Sequence, residues 1–186
     1  SEFAVGKGWN MISVALTVPD YTKDVLYPTS TTDAFKYSGG YQAETVLQNG
    51  PGYWLKFGAD QLVSMTGAAR PTDSITVVAG WNLVGSISNP VSVNTIGEVP
   101  PNNVVSSFYK FQAGYQAADS IMPGQGYWVK TNNDGKLALT SSGLMKSGES
   151  PMQRLKGLNS LTITDNNGSS QTLYFGSSNN ADFSIA

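Results

Sequence analysis

The chain has 186 residues, a formal net charge of −2, only 13% charged residues, and neither Cys nor His. Those totals exclude disulfides, thiolate chemistry, zinc sites and Ser-His or Cys-His nucleophilic machinery. The 11 basic residues are scattered, so no electrostatic footprint for nucleic acid or an anionic membrane is present. Twenty Gly and nine Pro punctuate segments rich in Val, Thr, Tyr, Phe and Trp, which predicts an all-β chain. No apolar run is long enough to cross a bilayer.

In chain order, Ser1-Glu2-Phe3 reads as a cloning remnant and the chain as an excised fragment. "WNMISVAL" (9–16) follows a Gly turn and predicts a strand. "TVPDYTKDVLYPTSTT" (17–32) is bounded by Pro and has room for one helical turn. "DAFKYSGGYQA" (33–43) predicts strand, Gly-Gly turn, strand. A Gly-rich turn leads into the strand "GYWLKF" (52–57), a polar turn carrying Asp60, and a closing strand in "LVSMTG" (62–67).

After the joint "AARPTD" (68–73), the pattern returns. Gly8-Trp9-Asn10 matches Gly80-Trp81-Asn82 at an offset of 72. At an offset of 74, Phe35-Lys36-Tyr37 matches Tyr109-Lys110-Phe111, and Gly40-Tyr41-Gln42-Ala43 matches Gly114-Tyr115-Gln116-Ala117. The same offset pairs Gly50, Gly52, Tyr53, Trp54, Lys56 and Asp60 with Gly124, Gly126, Tyr127, Trp128, Lys130 and Asp134. Internal repetition on this scale predicts two homologous five-stranded repeats, 4–72 and 73–143, packed pseudo-symmetrically as a sandwich or barrel-like body. A linker is expected over 144–158. A C-terminal hairpin and tail follow over 159–186, signalled by "LNSLTITDNNGSSQTLYFG".

Strand alternation puts Tyr53, Leu55 and Phe57 on one face and Trp54 and Lys56 on the other, with Tyr127 and Val129 opposing Trp128 and Lys130 in the second repeat. If the Leu/Val face is the core, each Trp points outward beside a Lys, to be covered by the sister repeat, a loop or a ligand. Packing is the plainer use of matched aromatics. The functional use is carbohydrate binding, in which aromatic rings stack on pyranose faces and amide or ammonium groups bond the hydroxyls. The candidate ligand residues are Trp54, Lys56, Tyr41 and Gln42, and their counterparts Trp128, Lys130, Tyr115 and Gln116.

No catalytic signature is present. Asp60 and Asp134 recur but read as turn residues, and Glu44, Glu98 and Asp119 have no matched partners. A carboxylate-only glycosidase is the distant alternative. "TNNDGK" (131–136) and "TDNNGS" (164–169) lack the ligand spacing of an EF-hand loop and read as polar turns. No cofactor is expected. Lys36 and Lys110, flanked by aromatics, read as outward positions.

The motifs "GWNLVG", "YKFQAGYQ" and "PGQGYWVK" resemble GWN/GYW-type tandem β repeats of large secreted or cell-surface proteins of Gram-negative bacteria. "LTITDNNGSSQTLYFG" resembles the tail region of such proteins. The resemblance implies a non-catalytic structural or adhesive accessory module, secreted or on the cell surface, with other domains of a larger parent protein as partners. A carbohydrate-binding module attached to a secreted hydrolase is the alternative, with polysaccharide or cell-surface glycan as partner. Neither nucleic acid nor membrane insertion is expected.

Overall fold

The structure, a computed structural model, describes residues 1–141, 159–164 and 170–175. The chain divides into two units, Ser1–Leu144 and Met145–Ala186. The expected linker, the polar turn at 165–169 and the tail beyond 175 lie outside the described residues.

In the first unit the chain runs through β1 (Glu2–Val5), β2 (Gly8–Ser13), β3 (Leu16–Thr17), α1 (Lys23–Leu26), β4 (Ala34–Tyr37), β5 (Tyr41–Glu44), β6 (Gly52–Phe57), β7 (Gln61–Ser64) and β8 (Ala68–Ala69). It continues through β9 (Thr72–Val77), β10 (Gly80–Val84), β11 (Val91–Ser92), a 3-10 turn (Val93–Thr95), β12 (Gly97–Val99), β13 (Phe108–Phe111), β14 (Tyr115–Ala118), β15 (Ser120–Ile121), β16 (Tyr127–Thr131) and β17 (Gly135–Thr140). The protein is all-β, and every pairing between named strands is antiparallel. In the second unit, β18 (Asn159–Thr164) pairs with β19 (Ser170–Phe175) from Asn159↔Phe175 to Thr164↔Ser170.

Two four-stranded sheets carry the first unit, ordered β2-β6-β4-β5 and β10-β16-β13-β14. The same order recurs, and neither sheet closes into a barrel. Each is accompanied by a smaller ladder: β1-β7 in the first half and β12-β17-β9 in the second. Strands outnumber the five expected per repeat. The additions are β1, which contains the supposed cloning remnant, β9, β12, and the two-residue ladders β3-β8 and β11-β15. Two-residue ladders inside loops leave no periodicity to read. Glu2 and Phe3 are held because Ser64 and Val63 lie opposite them in register.

Each half has its own core. In the first, Ile12, Tyr53, Leu55 and Phe57 from the large sheet pack with Val5, Val63 and Met65. In the second, Val84, Phe108, Tyr127 and Val129 pack with Ile75, Val77, Leu137 and Leu139. The expected single helical turn is α1, and the 3-10 turn stands in its place in the second half. Lys23 N–H donates to Thr45 O at 2.8 Å, and Val93 N–H to Asp119 O at 3.0 Å.

The Gly-Trp-Asn motif is a turn lock. Gly8 and Gly80 sit at φ +96° and +101°, a region that L side chains rarely adopt. Asn10 Oδ1 accepts from Gly6 N–H at 2.9 Å while its Nδ2 donates to Gly6 O and Gly8 O; Asn82 does the same with Val78 and Gly80. The recurring aspartates complete it. Asp60 accepts from Lys7 N–H at 2.6 Å and Asp134 from Ala79 N–H at 2.9 Å. "TNNDGK" is likewise a structural turn, with Asn133 N–H donating to Asn103 Oδ1 at 2.8 Å and Asn103 Nδ2 to Asn133 O at 2.9 Å.

The two halves are stitched together by matched backbone contacts. Ile12 bridges Gln125 and Val84 bridges Pro51; Ser13 N–H donates to Gly124 O at 3.0 Å and Gly85 N–H to Gly50 O at 2.6 Å. Between them lies a buried polar knot. The Ser13 and Ser86 hydroxyls meet at 2.8 Å, and Ser86 Oγ accepts from Gly124 N–H at 2.8 Å. Such reciprocal contacts are what a two-fold interface produces.

The motif tyrosines are core residues. Tyr53 Oη accepts from Gln48 N–H at 3.0 Å and Tyr127 Oη from Met122 N–H at 2.8 Å. Burial pushes Tyr53 up to about 12, and raises Tyr127 and, more strongly, Tyr27. A phenol whose folded pKa exceeds its unfolded value favours the fold below the unfolded value, near 10, and that contribution is lost as pH climbs further. Urea midpoints by circular dichroism are therefore expected to hold steady from pH 8 to 9.5 and to fall between pH 10 and 12. Tyr53→Phe should weaken that fall.

Candidate functional site

The face of each large sheet that does not meet its core is aromatic. In the first half, register places Trp9 opposite Lys56, Met11 opposite Trp54, Phe35 opposite Trp54 and Tyr37 opposite Tyr41. In the second, Trp81 faces Lys130, Leu83 and Tyr109 face Trp128, and Phe111 faces Tyr115. Directly opposite residues share a face, so these side chains form one surface per half.

The two surfaces meet. Met11, Leu83 and Trp128 form a third apolar cluster, with Tyr37, Trp54, Tyr109 and Phe111 against it. The ring of Phe111 meets Trp54 at 4.9 Å and 75°, and Tyr37 meets Trp128 at 4.9 Å and 74°. These two contacts are equivalent under the repeat offset. So are Trp9–Trp54 (6.4 Å, 87°) and Trp81–Trp128 (6.3 Å, 89°), and Tyr37–Tyr41 (5.6 Å, 70°) and Phe111–Tyr115 (5.5 Å, 69°). Edge-to-face pairing of this kind suits the ring quadrupoles.

The meeting is incomplete and leaves two open hollows. One, of about 550 Å³, is walled by Tyr37, Tyr41, Trp81, Tyr109, Tyr115 and Trp128. The other, of about 420 Å³, is walled by Trp9, Phe35, Tyr41, Trp54 and Phe111. Both fall in the ~300–1,000 Å³ range of ligand sites. Trp9 and Trp81 are each 43% exposed, Tyr41 59% and Tyr115 58%. No ionised side chain walls either hollow; Lys56 Nζ lies 6.0 Å from the centre of the Trp9 ring, at the edge of the smaller one.

The eight candidate ligand residues separate accordingly. Tyr41, Tyr115, Trp54 and Trp128 are brought together in the hollows. Trp128 is only 8% exposed and is the floor of its hollow, and Trp54 is half-buried beneath Phe111. Lys56 and Lys130 are exposed beside Trp9 and Trp81. Gln42 and Gln116 wall neither hollow. They lie opposite Lys36 and Lys110, and alternation turns them away from the aromatic surface. Lys36 is correspondingly not an outward position between inward aromatics. It lies on the core-side face, half-buried, and pairs with Glu44 at 2.7 Å, while Phe35 and Tyr37 point away from the core.

Six wall residues stand outside the eight: Trp9, Phe35, Tyr37, Trp81, Tyr109 and Phe111. Their signal was available in Phe35-Lys36-Tyr37 and Tyr109-Lys110-Phe111, where two aromatics at i and i+2 define an aromatic face. The Trp54 indole N–H is shut off from water without an acceptor in hydrogen-bond geometry; the Tyr41 hydroxyl approaches it without meeting that geometry. Burial, then the neighbouring Tyr115 phenol, raises the pKa of Tyr41.

Glu98 and Glu44 are engaged elsewhere. Glu98 Oε2 accepts from Asn103 N–H at 2.6 Å and Val104 N–H at 2.9 Å, and Glu44 pairs with Lys36. Among the described residues no group of three or more Asp, Glu, His or Cys is placed to hold a metal ion. Fold and site together define an all-β protein with a paired, uncharged aromatic cleft. No family model, curated protein or solved structure matches the chain.

Proposed function

We propose that this protein is a non-catalytic accessory module of a larger secreted or surface-attached bacterial protein, and that it adheres through its aromatic cleft to neutral polysaccharide. One observation carries the reading: two adjoining hollows, each walled entirely by aromatic rings, open to solvent between the halves. Aromatic faces left this exposed forfeit burial that the fold could otherwise use, which is the signature of a surface kept for a ligand. Uncharged walls suit an uncharged ligand. Stacking on sugar rings needs the flat, partly exposed indoles that Trp9 and Trp81 present.

The recurring Asp60 and Asp134 serve turns and Glu44 an ion pair, which supports binding without hydrolysis. Service as the sugar-binding partner of an attached hydrolase is compatible with the same cleft.

A glycan array on the whole chain tests the reading, followed by Trp9→Ala and Trp81→Ala. Each exposed indole makes few core contacts, so the fold should survive while retention on the best neutral glycan falls at least tenfold for the double variant. Unchanged retention in the folded double variant refutes the cleft as the binding surface.

A further inference from the structure

The two hollows are related by the repeat but are not chemically equal. At two equivalent positions the phenol and phenyl rings are exchanged: Phe35 corresponds to Tyr109, and Phe111 to Tyr37. Both exchanges put the hydroxyl in the larger hollow, because Tyr37 and Phe111 reach across to the opposite half's Trp. The larger hollow therefore has four phenols, Tyr37, Tyr41, Tyr109 and Tyr115, and the smaller one has Tyr41 alone.

The hydroxyls of Tyr21, Tyr27, Tyr53 and Tyr127 are committed. Tyr21 Oη donates to Asn49 at 2.5 Å and Tyr27 Oη to Ser13 O at 3.0 Å, while Tyr53 and Tyr127 accept backbone N–H groups. Among the eight tyrosines of residues 1–141, the four phenol hydroxyls without a protein hydrogen bond are the four that wall the larger hollow. Each is both a donor and an acceptor. Grouped around two indoles, they offer what a sugar ring needs: a stacking face and a ring of groups for its hydroxyls.

Resting on the polysaccharide reading above, we propose that the cleft is one site with two unlike subsites. The larger hollow reads the hydroxyl pattern of a neutral sugar ring and sets specificity. The smaller one, walled by Trp9, Phe35, Trp54, Phe111 and Tyr41, stacks on a second ring with little discrimination. A site that reads hydroxyls strongly rejects a ligand lacking them, whereas an apolar pocket discriminates weakly. The exchange also breaks the two-fold equivalence, so a directional polysaccharide is held in one orientation. A proline-rich segment, the other common occupant of aromatic grooves, lacks N–H donors at its prolines and would leave phenol oxygens unpaired.

The experiment is affinity electrophoresis of the whole chain in gels containing hydroxyethylcellulose, galactomannan, xylan or pullulan, with a proline-rich decapeptide titrated separately by Trp fluorescence. Tyr37→Phe/Tyr109→Phe gives both hollows phenyl walls at the exchanged positions, and Phe35→Tyr/Phe111→Tyr adds hydroxyls to the smaller one. The wild-type chain should be retarded by at least one polysaccharide. Tyr37→Phe/Tyr109→Phe should lose at least tenfold in affinity for it with an unchanged melting temperature, and Phe35→Tyr/Phe111→Tyr should stay within about threefold of wild type. Equal affinity of wild type and Tyr37→Phe/Tyr109→Phe, or a lowered melting temperature in that variant, overturns the subsite assignment alone. Retardation by none of the four polysaccharides, or binding of the decapeptide in their place, overturns the polysaccharide reading and the assignment with it.

Discussion

Trp128→Ala is expected to destabilise the first unit by about 3–5 kcal/mol, the cost of emptying the volume of a buried Trp. The indole is 8% exposed and lies in the cluster with Met11 and Leu83, under the edges of Tyr37 and Trp81. Tyr37 belongs to the other half, so the cavity opens at the seam between halves as well as within one sheet. Trp54→Ala should cost less, since Trp54 is only half-buried and the water that enters after truncation meets an already open hollow. Equilibrium urea unfolding followed by circular dichroism measures both. Equal small losses, under about 1 kcal/mol, would mean the halves do not cover each other's indoles in solution. Loss of ligand retention in Trp128→Ala says little about binding, because packing goes first; Trp9 and Trp81 are the positions where the two effects separate.

Gly52→Ala and Gly126→Ala are expected to damage the seam between the halves. A Cβ on Gly52 would stand 2.8 Å from Val84 O, and one on Gly126 would stand 3.0 Å from Ile12 O. Both obstacles are backbone atoms of the opposite half, so no side chain can swing aside. Overpacking of this kind costs about 1–3 kcal/mol, and Gly52→Ala, with the shorter approach, should sit at the upper end. Both clashes are relieved by the same small opening of the seam, so the double variant should cost less than the sum of the singles. Gly40→Ala is the control. Nothing lies within 4 Å of its added Cβ, and it should stay within about 0.5 kcal/mol of wild type. Differential scanning calorimetry on the four variants decides it, and melting temperatures that do not rank in that order would contradict the seam geometry.

These glycines explain why the same Gly-x-Gly-Tyr-Trp device stands in the chain twice. The second Gly lets one half's backbone approach the other, the Tyr goes into its own core, and the Trp goes under an aromatic from the sister half. Each function concerns a different direction from the strand, and a single strand of period two serves all three.

Much of this could be read in advance. The all-β class, the strands at 52–57 and 127–131, the turn role of Asp60 and Asp134, and the opposed faces of Tyr53 and Trp54 follow from local chemistry: alternation, turn residues and β-branched content. The short ladders at Leu16–Thr17 and Val91–Ser92 did not, because a two-residue pairing is made by the strand beside it. Nearness in sequence groups Gln42 and Gln116 with Tyr41 and Tyr115, but the pleat sends them to opposite sides.

What the amino-acid sequence determined alone is therefore which residues form strands and which side chains share a face, since both depend on neighbours a few positions away. Only the tertiary structure decided that Trp128 is covered while Trp81 stays 43% exposed, that Phe111 rather than a loop lies over Trp54, and that four phenols converge in one hollow. Those outcomes depend on side chains far apart in the chain meeting across the seam, and no local pattern of period two specifies what another strand's surface will place above it.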